Sequence, residues 1–419
     1  MKSKILLIGD DIRYPSGVGN ICKNIILETI DKYDWVQMAC QKQHPEKGNI
    51  IDVSESISKL TKTENCYARL YCSSGYGDEA TLFKVLEQEK PNAVVFMTDP
   101  RYYTWLFKLD NQIRQVCPLI YYHVWDNDPI PEFNKKLYMS CDGIACISKL
   151  TFSVVSSLTE SSNITCKYVP HGIDTDVFYK LSESKTSESK HNLLQTGCDF
   201  ALFCNNANMR RKQLPTVMEA YDKFCRLLPE EQADKTILMF HTNQVGEGGH
   251  DILKLSEQLY PTRNIIFSTT KVDELTLNRM YNTFDITINT ASNEGFGLST
   301  TESLSAGTPI ICNKTGGLSD QIDDDNTWGI GITPQIRKLS GDKSTPYLYE
   351  DFVDSDDVAR AIMTLYNKTS EERLAMGKLG REFIEKNFPL KVMTEGMSDV
   401  IDTTIKNFKP RGELKIKKL

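Results

Sequence analysis

The chain has 419 residues, more than one hydrophobic core usually serves, so two domains are the natural expectation. Apolar residues make up 40% and charged residues 25%, ordinary for a globular protein, and a formal net charge of −7 disfavours broad electrostatic binding to nucleic acid. Twelve cysteines without a CxxC pair and six histidines without HExxH offer no zinc-site spacing, and no apolar run reaches spanning length; reduced thiols in a cytoplasmic protein are expected.

In chain order, residues 4–9 (KILLIG) are a short apolar run ending in Gly and Asp, the pattern of a buried first strand. The loop DDIRYPSGVGN follows, carrying Gly17 and Gly19, and a helical pattern covers 21–30. Further strands are expected over 35–40, 92–97, 119–123 and 143–147. Strands alternating with helices imply parallel pairing with both faces covered, a doubly wound α/β sheet. Residues 181–195 (LSESKTSESKHNLLQ) are polar and read as a linker. A second alternation places strands over 200–204, 236–240, 264–267, 286–289 and 309–312, with helices near 214–227, 272–282, 298–306 and 358–366. The chain therefore reads as two Rossmann-like halves, 1–190 and 196–386, facing a cleft, followed by a helical segment, 387–419, with a basic end (PRGELKIKKL). In such sheets ligands sit beyond the carboxyl ends of the strands.

The most informative stretch is 293–321, NEGFGLSTTESLSAGTPIICNKTGGLSDQ. Glu294 and Glu302 stand eight positions apart around Gly295, Phe296, Gly297 and Leu298. The glycines let the backbone approach a bulky polar ligand. A helix starting near Gly297 would aim its unpaired N–H groups at that ligand, with Glu302 one to two turns inside. A carboxylate at each end of an anion cradle suits a sugar–diphosphate–nucleoside. The plainer reading, two solvent-facing helix acids, leaves the glycines unexplained.

Taken in order, residues 15–19 (PSGVG), 122–126 (YHVWD), 169–178 (VPHGIDTDVF), 205–212 and 277–285, the Glu294/Glu302 pair, and Gly316-Gly317 with Asp320 resemble the retaining glycosyltransferases of the GT-B fold, specifically glycosyltransferase family 4. The resemblance covers nearly the whole chain. It implies an acceptor-binding first domain, a donor-binding second domain and a C-terminal helix crossing back to the first. The implied reaction moves a hexose from a UDP- or GDP-sugar to a hydroxyl of a glycan, lipid-linked sugar or protein, with retained configuration. Glu294 is implied to meet the donor sugar, the backbone from Gly295 through Leu298 the sugar or diphosphate, and Glu302 both ribose hydroxyls. Asn206, Arg211 and Lys212 would surround the diphosphate, the two cations replacing a divalent metal, and no cofactor is implied. Gly17 and Gly19 would approach the diphosphate or acceptor, and His123 and Asp126 would position the acceptor.

The chain departs from the family pattern where Ala207 stands at its first Arg, Asp320 at its Glu and His171 at its Asn. Other readings stay open: a solvated basic turn for Arg210–Lys212, a structural His123, and an NAD fingerprint at Gly17 and Gly19 with Cys22 in place of the third glycine. A nucleotide-sugar epimerase of the same fold and a non-catalytic nucleotide-sugar-binding partner are the rival functions. Lys415, Lys417 and Lys418 are the candidates for peripheral membrane contact.

Overall fold

A computed structural model describes residues 2–194, 197–246 and 248–412; the basic end, with Lys415, Lys417 and Lys418, lies outside them. The chain divides into two compact units. One comprises Met1–Gly172, Asp342–Pro346 and the chain from Leu390 onward; the other comprises Ile173–Gly341 and Tyr347–Pro389.

The first unit is built on β1 (Ser3–Asp10), β2 (Tyr33–Gln41), β3 (Ile50–Asp52), β4 (Ala68–Ser74), β5 (Ala93–Met97), β6 (Leu119–His123), β7 (Gly143–Cys146) and β8 (Thr165–Tyr168). They form one sheet in the order β3-β4-β2-β1-β5-β6-β7-β8. Pairing is parallel throughout, save β3 against β4. Ile5 through Ile8 are buried on both faces, which is why β1 is a continuous apolar run instead of an alternation. Successive strands run outward from β1 on one side and resume at β5 on the other, so the topological switch lies between β1 and β5.

The second unit carries β9 (Phe200–Cys204), β10 (Thr236–His241), β11 (Ile265–Ser268), β12 (Ile286–Asn289), β13 (Ile310–Asn313) and β14 (Gly329–Ile332). Its all-parallel order is β11-β10-β9-β12-β13-β14, placing the switch between β9 and β12. A separate hairpin pairs β15 (Ile336–Ser340) with β16 (Leu348–Phe352). The helix Leu214–Arg226 buries Leu214, Val217, Met218, Tyr221, Phe224 and Cys225, a helical-period stripe facing the β9–β12 core. Each unit is thus a Rossmann-like α/β fold.

Residues 181–195 were expected as a linker, but Glu183–Leu193 is a helix of the second unit, with Lys190 paired to Asp285 at 3.3 Å. The division between units falls after Gly172, and the return falls after Pro389. The helix Leu390–Asn407 packs in the first unit against β7, β8 and the helix Gly17–Glu28. A Cβ on Gly143 would lie 2.5 Å from Thr404 Oγ1, so this helix sits flush on β7. Tyr33 donates to Asp402 at 2.7 Å, fixing the same helix to the start of β2. All twelve cysteines carry free thiols. Among the described residues no helix is long and apolar enough to cross a membrane.

Candidate functional site

The switch point of the second unit gathers most of the residues singled out in the sequence. After β9 the chain runs through Asn205–Asn208 into a short 3-10 turn, Arg210–Lys212, and Gln213 at φ 52° redirects it into the helix Leu214–Arg226. After β12 it runs through residues 290–297 into the helix Leu298–Ser305. The two loops are stitched together by their backbones. Ser292 N donates to Arg211 O at 2.7 Å, and Thr290 Oγ1 donates to Gln213 O at 3.2 Å.

Across this seam Lys212 Nζ contacts Glu294 Oε2, with both side chains about nine-tenths buried. Arg211, one-third exposed, donates to Asn293 O at 2.5 Å and stands 3.4 Å from the same Glu294 oxygen. Arg210 points to solvent. The expected grouping of Arg211, Lys212 and Glu294 therefore exists as one charge cluster. Asn206 is buried in the loop beside it, with Nδ2 3.8 Å from Cys204 Sγ.

Gly297 adopts φ 97° and ψ 65° at the N-cap of Leu298–Ser305, a conformation that favours glycine, and no side chain caps this helix. Its first-turn amides are consequently a ready anion site. Gly317 packs on the loop so closely that a Cβ would lie 2.2 Å from Gly295 O, and its N–H donates to Glu294 O at 2.8 Å. The fully buried Gln321 donates to Phe296 O at 2.6 Å. Gly317 and Gln321 brace the loop. The Phe296 side chain is buried and packs edge-on against Phe388 at 5.4 Å, which leaves the backbone of this loop, the part the resemblance assigns to the donor, as its contribution.

Glu302 lies in the helix Leu298–Ser305 and accepts from Tyr281 Oη at 2.7 Å, while Tyr281 accepts from Asn205 Nδ2 at 2.7 Å. Burial pushes the Glu302 carboxyl up to about 7, partly opposed by the Tyr281 hydrogen bond. This chain joins three elements: the loop after β9, the helix Glu274–Thr283 and the helix Leu298–Ser305. Tyr281 and Asn205 were not singled out as partners in the sequence. The only signal was that both fall in segments carrying the resemblance.

In the first unit the expectations fare differently. The His123 imidazole is fully buried, with Nε2 2.8 Å from Tyr138 Oη and its ring beside Tyr121. Burial lowers its pKa to about 3, so it stays neutral and enclosed. Asp126 lies three residues beyond β6, partly exposed, and accepts from Asn127 Nδ2 at 2.6 Å. His171 is buried against Tyr122 at 2.8 Å. Gly17 is exposed at the first position of the helix Gly17–Glu28. The Gly19 N–H is taken by the Ser16 hydroxyl at 2.9 Å, and a Cβ there would lie 2.5 Å from Tyr14 O. At Gly19 the close approach expected for a ligand is made by the loop itself.

The chain is similar to known proteins. Residues 185–383 match the family described as glycosyl transferases group 1. A curated relative, the D-inositol 3-phosphate glycosyltransferase of Corynebacterium jeikeium, is 26% identical over 167 residues; the match spans only 39% of each protein. The crystal structure of Anabaena HepE (Alr3699) in complex with UDP and glucose superposes with a TM-score of 0.68 at 13% identity, covering 96% of this chain and 100% of that one. The sucrose-phosphate synthase of Thermosynechococcus elongatus gives 0.70 at 14% identity, covering 97% and 100%. At these identities the structural likeness is one of fold.

Proposed function

We propose that this chain, whose residues 185–383 form a glycosyl transferases group 1 domain within a GT-B fold, is a retaining hexosyltransferase using a UDP- or GDP-sugar. The observation that carries the reading is the Lys212–Arg211–Glu294 cluster beside an uncapped helix at the switch point of the second unit. The cluster sits where an open α/β sheet binds its ligand. The diphosphate draws Lys212 and Arg211, Glu294 turns to the sugar hydroxyls, and Glu302 accepts from both ribose hydroxyls. The UDP and glucose in the Anabaena relative support a nucleoside-diphosphate sugar as donor.

In the reaction the bond from the anomeric carbon to the distal phosphate oxygen breaks, and its electron pair stays with the nucleoside diphosphate. The acceptor oxygen bonds the same face of the sugar, and its proton passes to the leaving phosphate. Negative charge grows on that phosphate, so Lys212 and Arg211 stabilise the transition state more than the ground state. The acceptor lies with the first unit, where Asp126 is the polar group left to position it. His123, enclosed and neutral, supports that strand end from within.

The test is thermal stabilisation by a panel of UDP-, GDP-, ADP- and TDP-sugars with NAD as control, followed by sugar release without acceptor. Stabilisation by one nucleotide class with slow release supports the reading. Stabilisation by NAD alone, or by no nucleotide sugar, overturns it. EDTA is expected to leave turnover unchanged, and strict dependence on Mg²⁺ or Mn²⁺ would remove the role given to the two cations.

A further inference from the structure

At the carboxyl edge of the first sheet, three strands deliver three different metal-binding side chains to one place. Asp11 follows β1, His44 lies beyond β2, and Cys72 is in β4. All three are buried, and their donor atoms lie within 4.8 Å of one another, the only such group among the described residues. His44 Nε2 is 3.0 Å from Asp11 Oδ2. Zinc ligands that form a sequence motif stand a few residues apart. Here they stand at 11, 44 and 72, joined only because β1, β2 and β4 are neighbours in the sheet.

A cation supplied by the protein stands against this group. Arg13 Nη2 lies 2.7 Å from Asp11 Oδ2, 2.8 Å from Glu46 Oε2 and 3.7 Å from Cys72 Sγ. The guanidinium therefore touches two carboxylates and a thiol, a set of sulfur and oxygen donors completed by the neighbouring imidazole. Its own side chain is 37% exposed, whereas those of Asp11 and His44 are sealed. The plug sits on the solvent side and can leave without opening the core.

We propose that Asp11, His44 and Cys72 form a binding site for a thiophilic divalent cation, zinc by chemistry, which Arg13 occupies in the metal-free state. A mixed sulfur, imidazole and carboxylate set is the donor chemistry of zinc, whose bonds of about 2.0–2.3 Å want donors roughly 3–4 Å apart. Binding requires three exchanges. Arg13 swings out to solvent, which frees Glu46 for the fourth position. The Cys72 thiol loses its proton to water. His44, whose Nδ1 accepts from Glu46 N at 3.0 Å, moves its proton from Nε2 to Nδ1 as that N–H turns away. His44 and Glu46 lie two residues apart in the turn after β2, so one rearrangement serves both.

The experiment titrates the full chain with Cd²⁺, reading the thiolate-to-cadmium charge-transfer absorption, and then displaces it with Zn²⁺. One cation per chain is expected. Cys72→Ser should abolish the band, and His44→Ala should weaken binding by about tenfold or more. Arg13→Ala should tighten binding by about tenfold, because the competing cation is gone. The thermal midpoint of each variant without metal reports folding. A band that survives in folded Cys72→Ser, or an Arg13→Ala variant that binds no more tightly, overturns the site. Should Cys72→Ser not fold, the Arg13→Ala comparison decides alone. None of these outcomes depends on the reading of the second unit.

Discussion

The two units carry the same architecture, yet their switch-point loops have opposite electrostatics. In the first, the loop between β1 and the helix Gly17–Glu28 is closed. Ser16 caps the helix, donates to Asp10 at 2.5 Å, and Asp11 lies buried behind. Burial pushes the Asp10 carboxyl up, but an acid at that position still occupies the place an anion would take. In the second unit, the loop after β9 carries Arg211 and Lys212, paired to Glu294 of the loop after β12, and neither following helix start has a side-chain cap. One fold thus makes an anion-repelling edge and an anion-receiving edge by choice of capping residue and loop charge alone. The second is the edge to which the proposed function assigns the diphosphate.

Lys212→Ala should break that difference most severely. Removing a fixed cation at the growing charge lowers kcat by about 10²–10³-fold with the fold intact, in line with deleting one charge-stabilising donor. Near-wild-type turnover in a donor assay would show that the second edge does not receive the phosphates.

Glu302→Ala comes next, weakening nucleotide binding by about 1–3 kcal/mol as a charged hydrogen bond is lost. The same residue gives a pH signature. Its carboxyl is raised from 4.5 to about 7, so the stability it contributes to the empty protein is full below about pH 4.5 and is lost as pH rises through about 7. Nucleotide affinity runs the other way, tightening from about pH 6 to about pH 8 as the carboxylate forms. Calorimetric titration should show this rise, and Glu302→Gln should flatten it. A wild-type profile already flat across that range would separate Glu302 from the ribose. Tyr281→Phe has a smaller effect. It removes a donor that favours the charged form and moves the midpoint upward.

The smallest effect sharpens the first edge. Ser16→Ala removes an N-cap and should cost about 1 kcal/mol of stability, read from chemical denaturation, with donor affinity unchanged. A weakened donor affinity would mean that the closed loop reaches the donor after all.

The strands legible in the sequence were those buried on both faces. KILLIG, NAVVFM and FALFC are uninterrupted apolar runs because helices cover both sides of a parallel sheet. The strands β4 (ARLYCSS), β8 (TCKY) and the β15–β16 hairpin gave no such run. β8 is half-buried at a sheet edge, and β4 carries Arg69 and terminal serines. The helix Glu183–Leu193 looked like a linker because its surface is polar; what anchors it, Lys190 to Asp285, lies 95 positions away. The site shows the same split. Glu294, Glu302 and the glycines were legible because the loop is contiguous. The Asn205–Tyr281–Glu302 chain joins residues separated by 76 and 21 positions, which no local pattern records. His123 was recognised as a strand-end histidine, but its enclosure depends on Tyr138 and the rings around it.

Under the proposed function, the contact between Lys212 and Glu294 bears on how the protein lets go of its product. A complete donor satisfies both groups at once, phosphate for the lysine and sugar for the glutamate. After transfer only the nucleoside diphosphate remains, and Glu294 is left facing a space without its hydroxyls. It then competes with the phosphate for Lys212, the partner it holds when the site is empty. Complete and spent forms of the donor would therefore be told apart by a single internal carboxylate, and each turnover would end with the site resetting itself for the next donor.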